Sequence, residues 1–153
     1  MGQTEAGGQR LSDGERQLLG QARRAVLATI DDRSRPRLVP ICFVLDERDD
    51  GGVVIWTPID EKPKVSSDPL SLARVRDIRA RPQVALLVDH WDEDWSRLAW
   101  LRIGGVARLE AETPPAVIEA LRAKYPQYAG QRLEVRPVIR IAVERLKGWG
   151  AFP

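Results

Sequence analysis

The sequence predicts a small, mostly antiparallel β-barrel of the α+β class, with about six strands and three helices at its edges. Three observations support this prediction. Short apolar runs rich in β-branched residues alternate with polar turns. The pair Gly104-Gly105 interrupts a long apolar run, and bends of this kind close sheets into barrels. Helical periodicity is confined to a few short segments with capping residues before them.

The N-terminal part combines a polar tail with one helix. Residues 1–10 are polar and rich in glycine, so we expect a disordered segment there and a single domain over residues 11–153. Ser12 precedes an acidic turn, which is the pattern of an N-cap, and leucines follow at helical spacing. These features predict an amphipathic helix from Asp13 to Arg24.

Two apolar runs, AVLATI at 25–30 and RLVPICFVLD at 37–46, flank a turn-forming segment and predict an antiparallel hairpin. The second run is apolar on both faces, which predicts burial on both sides. Pro40 interrupts it, and a proline in a strand belongs at an edge, at a bulge or beside a ligand. Both a plain bulge and a bound ligand account for Pro40.

Four further runs predict strands: Val53 to Pro58, Gln83 to His90, Arg97 to Glu110 and Val138 to Leu146. Pro115 opens a helix that we expect to continue to about Lys124. The chain then ends in KGWGAFP, which places Trp149 between two glycines. A tryptophan in so flexible a setting is expected to close the core, to cover a ligand or to contact a second subunit.

Composition narrows the class of protein. The chain has 153 residues and a net charge of +2, which favours neither nucleic acid nor a membrane surface. Cys42 is the single cysteine, so there is no internal disulfide, and this is typical of a reducing cytoplasm. No apolar run approaches the roughly 20 residues that span a bilayer. We expect a cytoplasmic protein that binds neither nucleic acid nor membrane.

The residue types also exclude most unaided chemistry. One histidine and one cysteine are too few soft ligands for a metal site, and no G-x-S-x-G, G-x-x-x-x-G-K-[ST] or G-x-G-x-x-G motif occurs. His90 is expected at a strand end facing a polar loop. We therefore predict no catalytic side chain and no metal ligand, and any difficult reaction belongs to a cofactor.

Cations gather in one stretch, residues 57–82. Lys62 and Lys64 flank Pro63 in an irregular segment, and Arg74 and Arg76 follow on a predicted short helix that starts near Asp68 or Ser71. Ammonium and guanidinium groups bind phosphate by charge-assisted hydrogen bonds. A solvated basic face is the alternative. The stretch therefore points to a phosphorylated organic ligand.

Taken in order, several segments resemble the split β-barrel flavin and deazaflavin proteins related to pyridoxamine phosphate oxidase. They are AVLATI, RLVPICFVLD, VVIWTP followed by KPK, LARVRDIRARPQVALLVDH, DEDWSRLAWLRIGG and KGWGA. The likeness is greatest to the branch of deazaflavin (coenzyme F-420)-dependent enzymes. It implies a six-stranded antiparallel split β-barrel of the FMN-binding type with edge helices, and a homodimer with the cofactor at the subunit interface.

The resemblance also implies a set of cofactor-binding positions. Those matching the phosphate grip are Lys62, Lys64, Arg74 and Arg76, and Arg79 and Arg81 would extend it toward a polyglutamate tail. Those matching the ring site are Val39, Pro40, Ile41, Trp56, Thr57, Pro58 and Trp149. The chain departs from the family pattern at Ser34, where a glycine is usual, and at Arg74 and Asp77, where lysine and asparagine are common.

The implied activity is that of an oxidoreductase that transfers a hydride between coenzyme F-420 and an organic electrophile, with a small molecule as substrate. One alternative is an FMN-dependent oxidoreductase that uses the same site. Another is a non-catalytic module that binds a flavin, a haem or a tetrapyrrole.

Overall fold

The computed structural model describes residues 10–59, 68 and 71–153, and contains one antiparallel sheet with three helices packed on it. The helices are α1 (Asp13–Gln21), α2 (Ala73–Ala80) and α3 (Pro115–Lys124). The strands are β1 (Ala25–Ile30), β2 (Pro36–Ile41), β3 (Val44–Glu47), β4 (Val53–Pro58), β5 (Gln83–His90), β6 (Ala99–Glu110) and β7 (Val138–Gly150). The tail expected to be disordered lies, except for Arg10, outside the described residues.

The sheet has seven strands in the order β2-β1-β5-β6-β7-β4-β3, so the prediction of six was wrong. The run RLVPICFVLD is two strands, because the chain leaves the sheet at Cys42 and Phe43. It rejoins at the opposite edge, where β3 pairs with β4. A uniformly apolar run carries no local signal for such a crossing between edges.

The inner face of the sheet encloses the main core. Buried side chains from both ends of the strand order, such as Ile41 of β2 and Ile55 of β4, belong to one apolar cluster, so the sheet must curl on itself. Within the described residues, no ladder of hydrogen bonds joins β2 to β3. The architecture is therefore a mostly-β, α+β fold around a single sheet that is not closed.

A second apolar cluster covers part of the outer face. Val117, Ile118 and Leu121 of α3 pack with Val54 and Trp56 on β4, and strand β4 is consequently buried on both of its faces. The helix begins at Pro115 and ends at Lys124, as predicted. We call the part of the outer face beneath α3, on β3, β4 and the start of β7, the covered face.

Several local predictions are confirmed. Ser12 caps α1 in a capping box with Glu15, although the helix ends at Gln21, earlier than predicted. The register between β6 and β7 shifts between Gly104 and Gly105. A Cβ on Gly105 would lie 2.4 Å from the carbonyl oxygen of Ala142, so only glycine fits this bend.

Helix α2 is short and weakly capped. It starts after Leu72 without a side-chain cap, and the predicted cap Ser71 instead donates its hydroxyl hydrogen to the Asp68 carbonyl. Val75 and Ile78 are buried in the main core. An isolated helix of 8 residues is marginal in water, so tertiary contacts determine where α2 lies.

In the described parts of the chain, no helix has both the length and the apolar character needed to cross a membrane.

Candidate functional site

The outer face of β1, β2, β5 and β6, together with Trp149 of β7, lies outside the α3 cluster, and we call it the open face. It is apolar but poorly buried: Leu38 is 68% exposed and Leu87 is 42% exposed. The prediction that the second hairpin strand is buried on both sides was therefore wrong for β2 in the single chain. Strand β2 is an edge strand, and nothing in the described protomer covers its outward side.

The open face contains a cleft of about 710 Å³. Its lining is mostly apolar, with Asp89, His90 and Arg102 as the charged or titratable side chains. The full lining is Val26, Ala28, Leu38, Ala85, Leu86, Leu87, Asp89, His90, Trp91, Leu98, Ala99, Trp100, Arg102 and Trp149. A concave, largely apolar surface with a few polar groups is the usual form of a small-molecule site.

Two tryptophans form one side of the cleft. Trp100 of β6 and Trp149 of β7 are direct cross-strand partners, and the guanidinium of Arg102 lies 5.8 Å from the Trp100 ring. The glycines beside Trp149 suggested a flexible tail. Trp149 instead lies in β7, one residue before the end of the strand. Gly150 adopts φ +101°, and the following Ala151 N–H donates to the Leu98 carbonyl, which fixes the strand end.

Strand β2 carries the first predicted ring-binding segment. Pro40 pairs with Val26 and is exposed at the sheet edge, which agrees with the edge position predicted for a strand proline. Val39 and Ile41 have the opposite parity and pack on the main core. The backbone of this segment therefore borders the open face, while Leu38 supplies a side chain to the cleft.

The second predicted ring-binding segment lies elsewhere in the sheet. Trp56, Thr57 and Pro58 are all buried in β4, and none of the three lines the cleft. The Trp56 indole N–H donates to Asp46 at 3.2 Å, and the ring belongs to the α3 cluster. In the protomer Trp56 is part of the covered face, and Thr57 and Pro58 are buried in the same strand.

The structure describes only some of the residues predicted to form the phosphate grip. Lys62 and Lys64 lie outside the described residues. Arg74 and Arg76 are on α2, the first half-buried and the second exposed. Arg79 is also exposed.

Arg81, a predicted tail contact, has a structural role. Its guanidinium donates to the Asp31 carbonyl at 2.8 Å and to the Ser34 hydroxyl at 3.2 Å, which ties the end of α2 to the hairpin turn. Ser34 itself has φ 61°, in the left-handed region. This explains why a glycine is usual at the position.

Sequence reasoning missed a buried polar junction between α2 and the hairpin. Asp77 is 6% exposed, and its Oδ2 accepts hydrogen bonds from Thr29 Oγ1 at 2.7 Å and from Arg37 Nε at 2.8 Å. Thr29 and Arg37 face each other across the β1–β2 ladder. The hydrogen bond and the charge of Asp77 raise the pKa of Arg37. Nothing in the local pattern around Asp77 indicates its two partners.

Lys124 and His90 make contacts with neighbouring parts of the fold. Lys124 donates to the Leu19 carbonyl at 2.9 Å and lies 3.8 Å from the centre of the Phe43 ring. Burial, with a smaller contribution from the charge of Arg23, lowers the pKa of Lys124 to about 8. His90 ends β5 with Nε2 3.7 Å from an Asp92 carboxylate oxygen, at a polar loop as predicted. Across residues 10–59, 68 and 71–153, no three His, Cys, Asp or Glu side chains form a metal-binding group.

Comparison with known proteins assigns the chain to a family. The sequence model of the pyridoxamine 5'-phosphate oxidase family matches residues 11–150. The chain belongs to the pyridoxamine 5'-phosphate oxidase family. This confirms the family resemblance that the order of the sequence motifs indicates. A search of curated proteins found no match.

Solved structures with the same fold come from proteins of different kinds. A conserved hypothetical protein from Mycobacterium tuberculosis is 20% identical with a TM-score of 0.67, over 96% of this chain and 89% of that one. An F-420 reductase is 19% identical with a TM-score of 0.62, over 89% and 98%. The haem storage protein HutZ from Vibrio cholerae is 18% identical with a TM-score of 0.63, over 92% and 97%. At these identities the likeness establishes the fold alone.

Proposed function

We propose that the protein is an oxidoreductase that transfers a hydride between the deazaflavin coenzyme F-420 and a small organic electrophile. The observation that carries this proposal is the open-face cleft, which is apolar, bordered by two paired indoles and large enough for a planar polycyclic ring. Membership of the pyridoxamine 5'-phosphate oxidase family and the similarity to an F-420 reductase favour a flavin-like ring in that position.

The side chains of the chain fit such a group. Trp100 and Trp149 offer flat aromatic surface, and aromatic rings pack by offset stacking or edge to face. Arg74 and Arg76 on α2 carry the positive charge that a phosphate requires, and we assign Lys62 and Lys64 to the same grip from the sequence. Further ring contacts would come from the backbone of Val39 to Ile41, which borders the open face, whereas the buried Trp56, Thr57 and Pro58 do not line the cleft.

The protein contributes position and environment in this proposal. When bound, the reduced deazaflavin supplies the hydride. The apolar lining excludes water, and the cleft holds the electrophile against the ring, so that donor and acceptor carbons meet without a loss of entropy at the reaction step. His90 and Arg102 are the polar groups in the lining that can orient a carbonyl or carboxylate of the substrate.

We further propose that the working unit is a homodimer with the cofactor between the two open faces. Leu38 and Leu87 are exposed side chains on one apolar sheet face, and such a face is usually covered by a partner or a ligand. A second copy of the same face covers both at once, and Trp149 then lies beside the interface.

Titration tests the proposal. Oxidised and reduced coenzyme F-420, and FMN in parallel, are added while the intrinsic tryptophan fluorescence is recorded, because Trp100 and Trp149 line the cleft. We expect quenching with a Kd in the micromolar range for F-420, and reoxidation of the reduced form by one of a panel of quinones, enones and bilins. Absence of binding by either cofactor below about millimolar would overturn the proposal.

A non-catalytic binding module is the second candidate. The observation in its favour is the similarity to HutZ, a haem storage protein. The same titration separates the two, because a storage module binds a cofactor that no member of the electrophile panel reoxidises. Tighter binding of FMN than of F-420 would instead favour an FMN-dependent oxidoreductase.

A further inference from the structure

We propose that Asp77 is a positioning residue for the phosphate grip, because it fixes helix α2, and Arg74 with it, relative to strand β2. This inference rests on the proposed function, since it concerns how the cofactor phosphate is held. Asp77 lies on α2, and its two partners both belong to the β1–β2 hairpin.

The junction connects three elements of the fold, α2, β1 and β2. Thr29 on β1 and Arg37 on β2 are register partners, and both donate to the same oxygen of Asp77 on α2. The carboxylate and Thr29 are almost completely buried. The Thr29 bond is buried, and the Arg37 bond is charge-assisted although the Arg37 side chain is 40% exposed. Two directional hydrogen bonds from different strands define the rotation of α2 as well as its distance from the hairpin.

Helix α2 needs such a connection. It has only 8 residues and no side-chain N-cap, and its apolar contacts through Val75 and Ile78 are not directional. Arg81 ties its C-terminal end to the hairpin turn, and Asp77 supplies the tie at the middle of the helix. Arg74 lies three residues before Asp77, one turn away on the same side of the helix.

The same contact controls charge. A carboxylate one helical turn from a phosphate-binding arginine would repel an anion if it were unpaired. Because Arg37 donates to Asp77, the pair is neutral overall, and Arg74 keeps its attraction for phosphate. Strand β2 continues from Arg37 to Val39, so the same strand carries a partner of Asp77 and the segment assigned to the ring.

The test compares Asp77→Ala with a control, Glu47→Ala. The Glu47 carboxylate also joins a helix to a strand, because it accepts from Arg16 Nε at 2.7 Å, but the helix is α1 and the strand is β3. FMN and riboflavin, which lacks the phosphate, are titrated by calorimetry into each protein. Coenzyme F-420 and its phosphate-free deazaflavin chromophore form a second pair of probes.

We expect the ratio of phosphate-bearing to phosphate-free affinity to fall about tenfold in Asp77→Ala and to stay within about twofold of wild type in Glu47→Ala. Asp77→Asn keeps an acceptor oxygen and should recover most of the ratio. Thr29→Val, which removes one donor, provides a milder variant if Asp77→Ala does not fold, and we expect about a threefold fall.

Hydrogen exchange of the ligand-free proteins supplies an independent readout. Amides of residues 73–80 should exchange faster in Asp77→Ala but not in Glu47→Ala. Equal affinity ratios in the two alanine variants, with wild-type binding intact, would overturn the inference and leave the proposed function standing. A wild-type protein that binds none of the four probes would overturn the proposed function and the role toward phosphate, whereas unchanged exchange in α2 would overturn the positioning itself.

Discussion

The covered face and the open face are two parts of the same outer surface with different neighbours. Under α3, Trp56 is 4% exposed and Leu121 is fully buried. On the open face, Leu38 is 68% exposed and Trp149 is 39% exposed. Both surfaces are apolar, so the hydrophobic effect favours covering both of them. The protomer covers one with its own helix and leaves the other exposed, and we propose that a ligand and a second copy cover it.

The covered face should determine the stability of the protomer. Leu121→Ala removes a fully buried side chain between α3 and β4, and we expect a loss of about 3 kcal/mol in the free energy of unfolding. Urea denaturation followed by circular dichroism measures this change. A loss below about 1 kcal/mol would mean that α3 is not an integral layer of the fold.

The open face should determine association. Leu38→Asp places a charge on the exposed apolar surface, and we expect the dimer dissociation constant to rise about thirtyfold, or about 2 kcal/mol, because the carboxylate is desolvated in the interface. The control is Val135→Asp, since Val135 is 67% exposed but lies outside both the cleft and the open face. Sedimentation velocity reports the dissociation constants, and equal values for the two variants would place the interface elsewhere.

Within the open face, the tryptophan pair should contribute to the affinity for the ring. We expect Trp149→Ala to weaken the binding of F-420 or FMN about fivefold, or about 1 kcal/mol, because stacking surface is lost. Trp95→Ala is the matched control: Trp95 is 72% exposed and does not line the cleft. Calorimetric titration distinguishes the two variants. Similar losses in both would indicate a general effect of removing an indole.

The smallest expected effect is the pH dependence of protein stability that arises from Lys124, the last residue of α3. The pKa of Lys124 is about 8 in the folded protein, against about 10.5 in the unfolded chain. Between these values the unfolded state binds more protons at this group, so stability rises with pH from 8 to 10.5. Solvent screening of a partly exposed lysine limits the rise to less than about 1 kcal/mol. Lys124→Met should abolish this increment in urea denaturation at pH 7.5 and 10, and an identical pH profile in both proteins would contradict the assignment.

Local signals in the sequence were enough to predict much of the framework. Ser12 as a cap, the bend at Gly104-Gly105 and the start of α3 at Pro115 each depend on residues close in the chain. The crossing at Cys42 and Phe43 does not. Phe43 is fully buried and Leu38 is mostly exposed, although both lie in the same apolar run, because the topology and not the residue type decides which is covered.

The candidate site was less predictable for the same reason. Asp77 meets Thr29 and Arg37 across 48 and 40 positions of sequence, and no spacing rule connects residues that far apart. The positive charge of Arg81 predicts a role in ligand binding together with the neighbouring cations, because a sequence shows the charge of a residue but not its hydrogen bonds. Its hydrogen bonds to the hairpin turn depend on where α2 ends. Recognition of the family supplied the ring and phosphate assignments that pattern alone did not contain.

If the open face binds the cofactor between two copies of the chain, loss of the dimer must also weaken cofactor binding. Calorimetric titration of coenzyme F-420 and FMN into Leu38→Asp, with Val135→Asp as control, measures this. We predict that Leu38→Asp, titrated at a concentration at which sedimentation shows it to be folded and monomeric, binds either cofactor at least about tenfold more weakly than the wild type, while Val135→Asp binds as the wild type does. Wild-type affinity in a folded, monomeric Leu38→Asp protein would contradict the account.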